Sequence, residues 1–125
     1  MTQSDIKTLE SDTDGLKTYE YLVNNIDNPD IDIDAVITRL CELDLNGQFM
    51  ASASRYLFAI DPVRFEQQIR LLVSLTIDRD RDRAYIGDLI TSLYGTDYRE
   101  HAAELSSTDN NFRRMYKRLY PTSVI

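Results

Sequence analysis

"IDPVRFEQQIRLLVSLTI" (residues 60–77) reads as a helix start followed by its body. Asp61 is a good N-cap, since its carboxylate can accept one of the free backbone N–H groups that open a helix. Pro62 suits the first helical position, where no N–H is needed. Ile60 and Phe65 stand at the two positions of a hydrophobic staple across that start. From Ile69 to Ile77 the apolar residues cover most of the circumference, as in a helix surrounded by others. This central helix, over 62–77, predicts an all-α fold.

The flanking segments carry the same period. Leu16, Tyr19, Leu22, Val23 and Ile26 predict a helix over 13–26, closed before Pro29. Ile33, Val36, Ile37, Leu40 and Cys41 form the stripe of a second helix, ended by Asn46-Gly47. Phe49, Met50, Ala53, Tyr56, Leu57 and Ile60 form a third, so close behind that the two should pair as an antiparallel αα-hairpin. Beyond 77, "DRDRDR" (78–83) interrupts, and Tyr85, Ile86, Leu89, Ile90, Leu93 and Tyr94 resume the pattern up to Gly95. Segments 62–77 and 83–94 could form one bent rod, since Leu72, Arg79 and Ile86 lie nearly in phase. Six consecutive charged residues favour a break. Asp97 and Glu100 form a capping-box pair for a short helix over 97–106. A last helix over 109–120 places Phe112, Met115, Tyr116, Leu119 and Tyr120 on one face.

The expectation is an all-α single domain (13–121) of six to seven short helices, as an irregular bundle or short helical array. A flexible acidic N-terminal tail (1–12) and a C-terminal tail (122–125) flank it. With 125 residues the chain can bury roughly two-thirds of its unfolded surface, enough for a core without staples. The single cysteine, Cys41, excludes an intramolecular disulfide and fits a reducing compartment. The longest apolar-rich stretch is too short to span a bilayer and the first 15 residues are polar and acidic, so the expected location is cytoplasmic, away from membranes.

The net charge of −7 is unevenly distributed. Residues 1–44 hold 11 acidic and 3 basic residues, a net −8, and the remainder is close to neutral at +1. Overall acidity argues against indiscriminate nucleic-acid binding. Asp30, Asp32 and Asp34 alternate like the first ligands of a calcium loop, but the loop's glycine place holds Ala35 and its bidentate glutamate place holds Cys41. Asp32 is better read as an N-cap, with Asp34 in the first turn facing the positive helix end. "DRDRDR" reads as a solvated connector with local ion pairs. His101, the only histidine, has no evident nucleophile or zinc partner, and Cys41 sits on an apolar stripe. No catalytic residue, metal or cofactor is expected, and the chain is not read as an enzyme.

The C-terminal helix carries Arg113, Arg114, Lys117 and Arg118 opposite its apolar face. "YREHAAELSSTDNNFRRMYKRL" (98–119) resembles a helix-turn-helix motif: Ala102 is the small residue of the first helix, and Phe112 and Met115 point inward from the second. That resemblance implies that Asp109, Asn110, Asn111 and Arg113 would face bases, and Arg114, Lys117 and Arg118 phosphates. Ser106 stands where the motif has glycine, and Asp109 would repel phosphate. The preferred expectation is therefore a non-enzymatic protein–protein interaction module, a small adaptor or regulatory protein whose charge separation steers its partner. A helix-turn-helix DNA-binding regulator using helices 97–106 and 109–120 is the alternative. An acidic decoy or toxin-neutralising protein is a third reading. The partner is another protein, and a homodimer fits the same features.

Overall fold

The computed structural model describes residues 2–123. Its helices are α1 (Gln3–Ser11), α2 (Leu16–Asn25), α3 (Ile33–Leu43), α4 (Gln48–Ile60), α5 (Glu66–Arg79), α6 (Ile86–Tyr94), α7 (Ala102–Thr108) and α8 (Asn110–Leu119), with a 3₁₀ helix (Tyr98–His101) leading into α7. Among the described residues there is no strand, and no helix is long and apolar enough to cross a membrane. The all-α class stands, with more helices than the six to seven expected.

The additional helix is α1, in the segment expected as a flexible tail. Thr2 and Asp5 cap it reciprocally: the Asp5 N–H donates to Thr2 Oγ1 and the Thr2 N–H to Asp5 Oδ2, each at 3.1 Å. Leu9 anchors it in the core. Of the C-terminal tail, Val124 and Ile125 lie outside the described residues. The segment 97–106 also differs: it divides into the 3₁₀ helix and α7, because Asp97 caps no backbone N–H and turns instead to His101.

Asp61 opens the central segment as expected, accepting the N–H groups of Val63 and Arg64 at 3.2 and 3.0 Å. Residues 62–65 make turns, and regular helix begins at Glu66. Phe65 is buried, while Ile60 is 42% exposed, so only one half of the staple enters the core. α5 buries Ile69, Leu72, Val73, Thr76 and Ile77 against α3, α4 and α8, and leaves Leu71 and Arg70 outside. It is central but buried on one side only. Segments 62–77 and 83–94 are separate helices, since α5 stops at Arg79 and α6 starts at Ile86.

Three buried aspartates make the helix-to-helix turns. Asp12 ends α1 and accepts the N–H groups of Asp14, Gly15 and Thr18 and the Thr18 hydroxyl. Asp44 ends α3 and accepts from Gly47 and Met50. Asp80 ends α5 and accepts from Ala84, Tyr85 and Ile86. Each carboxylate thus satisfies donors that the start of the next helix leaves unpaired, which is what permits its burial.

α1 packs on α2, α2 on α3 and α4, α4 on α5 and α6, and α8 on α5, α6 and α7. α3 and α5 run parallel: Gln68 reaches Asp34 (3.0 Å) near their starts, and Arg79 reaches the Asp44 carbonyl (2.9 Å) near their ends. α8 is parallel to α5 in turn, with Asn111 on the Arg70 carbonyl (3.2 Å) and Arg118 on the Asp80 carbonyl (2.7 Å). One continuous core joins the layers, with Leu22, Val36, Leu40, Met50, Leu57, Leu72, Leu89, Phe112 and Met115 fully buried.

Candidate interaction surfaces

α8 starts at Asp109, whose carboxylate accepts the Phe112 N–H (3.1 Å) and the Tyr94 hydroxyl (2.7 Å). Burial, then the bond to Asp109, push the Tyr94 phenol well above its ordinary value, so it stays a donor. Phe112, Met115 and Tyr116 face the core. Phe112 packs edge-on against Tyr94, with ring centroids 5.0 Å apart. A second tyrosine contact closes the chain end: the hydroxyls of Tyr98 and Tyr120 lie 2.7 Å apart, and Arg99 covers the Tyr120 ring at 4.3 Å. Burial, then the Tyr120 hydrogen bond, push Tyr98 up to about 12.

The polar side of α8 does not face solvent as one surface. Arg114 donates to Ser74 (3.0 Å) and pairs with Asp78, both on α5. Arg118 donates to the carbonyls of Ile77, Asp80 and Arg81, where α5 ends. A cation at a helix C-terminus satisfies open carbonyls and meets the negative end of the dipole. Asn111 is half-buried and bound to α5, and Arg113 bonds its neighbour Asn110. Asn110, Arg113 and Lys117 remain exposed. Asp109 joins α7 to α8 as a single-residue link.

Beside this helix lies an open groove of about 360 Å³. Phe58 from α4, Ile69 and Val73 from α5, and Leu93 and Tyr94 from α6 form its apolar wall. Pro62, the Glu66–Arg70 ion pair (2.8 Å) and the Thr108–Asn111 junction form its rim. Val63, next to Pro62, is 83% exposed. A second cleft, of about 340 Å³, lies between the α3–α4 and α5–α6 turns, where Leu45 is 81% exposed. These two apolar residues are the most exposed of their kind among the described residues.

The other sequence candidates lie apart from the grooves. Asp32 caps α3 through the Ala35 N–H (3.1 Å), as read, and Asp34 accepts from Gln68. Cys41 is half-buried, and burial pushes its thiol up, which keeps it protonated and poorly nucleophilic. Asp97, Glu100 and His101 bring their ligand atoms within 4.8 Å of one another on the 3₁₀ helix, all three exposed. Among the described residues, this is the group with the ligand types and spacing to hold a metal ion.

The chain matches no protein-family model, and no curated protein and no solved structure is similar to it.

The groove is the feature that sequence periodicity missed. Its wall combines residues from three helices, each of which reads as ordinary core spacing in isolation.

Proposed function

We propose that the chain is a non-enzymatic protein-interaction module whose groove receives an apolar side chain of a partner protein. The groove between Phe58, Ile69, Val73, Leu93 and Tyr94 carries this reading. Its volume suits one large side chain, and burying a leucine or phenylalanine there contributes about 1.5–3 kcal/mol. Val63, the exposed residue after the rim residue Pro62, adds apolar surface next to it in the chain. The half-occupied cations of α8 favour this reading over DNA binding, because Arg114 and Arg118 already serve α5. A reducing, cytoplasmic setting accords with the single protonated thiol.

Affinity capture from native extract, with and without nuclease, tests it. The expected result is a protein captured equally in both arms and lost with Val63→Asp, an exposed change that leaves the core intact. Capture that nuclease abolishes, or that Val63→Asp combined with Leu93→Gln leaves unchanged, would overturn the reading.

A further inference from the structure

The parallel helices sort charge along their axes. The 360 Å³ groove lies at the end of the molecule where α5 and α8 begin and α4 and α6 stop, since Glu66, Asn110, Phe58 and Tyr94 all line it. α3 begins at the same end, because Gln68 donates to Asp34 at 3.0 Å. Asp27, Asp30, Asp32 and Asp34 lead into α3, and all four are exposed. None of the four takes part in an ion pair. Segments 27–34, 58–70 and 108–113 together hold seven acidic residues against Arg64, Arg70 and Arg113, a net charge of −4.

Those three cations are engaged locally. Arg70 pairs with Glu66 at 2.8 Å, Arg64 lies over the Phe65 ring at 4.6 Å, and Arg113 bonds Asn110. A second group of cations gathers at the far end, where α5 stops: Arg79, Arg81 and Arg83 in the turn, and Lys117 and Arg118 late in α8. The 14 residues of α5 separate the two ends by about 20 Å, more than two screening lengths at physiological salt. The carboxylates before α3 therefore have no internal counter-charge, and their field extends over the groove end.

We propose that the groove end docks a basic polypeptide segment. One bulky apolar side chain enters the groove, and lysines or arginines on the same segment meet the carboxylates before α3. The proposal rests on the reading of the groove as a socket for a partner's apolar side chain, and it adds the partner's charge. α5 stands between the two halves of the site, with Asn111 of α8 on one flank and Asp34 of α3 on the other. Packed helices lie about 8–10 Å apart, and an extended segment crosses that distance in about three residues. The cations should thus stand about three residues from the apolar anchor. Nucleic acid and anionic membrane surfaces are repelled by the same carboxylates.

Fluorescence anisotropy with a labelled peptide of sequence KRKRLFRKRK tests it on the full chain. EDEDLFEDED, QNQNLFNQNQ and KRKRSSRKRK serve as the other probes. The expected result is saturable binding of the first peptide, tighter than that of the other three and weakened by salt. Asp27→Asn, Asp30→Asn and Glu66→Gln together should weaken it about tenfold. These three side chains are exposed and cap no helix, so the fold is kept. Leu93→Gln should weaken it as well, and backbone NMR shifts should centre on 27–34, 58–70 and 93–111. Equal binding of the uncharged peptide, weakened by Leu93→Gln, would overturn the charge preference and leave the groove reading standing. Equal binding of KRKRSSRKRK would overturn the proposal by showing that the groove takes no part. Unchanged binding by the triple variant, preference for the acidic peptide, or no binding of the first peptide would each overturn it too.

Discussion

The second and third turns perform one task with different residues. Asp44 and Asp80 are both buried, close a helix and cap the next one. The left-handed position is Gly47 in one and Arg83 in the other. A Cβ on Gly47 would lie 3.2 Å from Thr76 Cγ2, because α5 passes directly over that turn. Arg83 is exposed, with its guanidinium turned to the Arg118 carbonyl (3.3 Å). Backbone conformation alone disfavours a side chain at both positions. Of these two, only the second turn also has a neighbouring helix that crowds the added atom.

The aspartates should dominate any test of this equivalence. Asp44→Ala and Asp80→Ala each leave buried N–H groups without an acceptor, at a cost of about 2–4 kcal/mol. Urea unfolding of the two variants measures it. Losses no larger than those of an exposed substitution would end the claim that the turns depend on these carboxylates.

The first turn adds a pH dependence. Burial alone would raise the Asp12 carboxyl, but the donors at Thr18, Gly15 and Asp14 outweigh it and hold the group at about 2, against 3.8 when unfolded. Because the folded value is the lower one, the stabilisation is complete above about pH 4 and disappears as pH falls toward 2. Its size is about 2 kcal/mol. Asp12→Asn should therefore flatten the acid limb of a stability–pH curve. An unchanged limb would place the acid sensitivity elsewhere.

Glycine and arginine should respond with opposite signs. Gly47→Ala meets both the positive φ and Thr76, and should cost about 1–2 kcal/mol. Arg83→Gly relieves the same backbone conformation in open solvent, and should change stability least, by a gain of about 0.5–1 kcal/mol. Thermal melts of the pair read the difference. A loss for Arg83→Gly would mean that the guanidinium contact with α8 outweighs the relief.

Much of this was legible before any coordinates. The helical periods, the Asp32 cap, the Gly95 stop and the break at 78–83 follow from local chemistry that acts within a few residues. The α1 helix was hidden because its apolar positions are a single pair, Ile6 and Leu9, too few to set a period, and only Leu9 enters the core. The turn signature of aspartate, a spacer, aspartate or asparagine, then glycine or arginine was also present, at 12, 44 and 80. It reads as ordinary loop composition until each aspartate is seen to reach the following helix.

The sequence by itself determined the all-helical class, most helix limits and the division of charge between the two ends. These depend on hydrogen bonds and side-chain periods within single segments. Only the tertiary structure decided which of the α8 cations face solvent, because periodicity separates apolar from polar faces but not the flank that meets a neighbour. Arg114 and Arg118 lie on the flank against α5, and Arg113 and Lys117 on the flank toward solvent. The grooves are likewise a matter of packing, since their walls come from helices and turns that are distant in sequence.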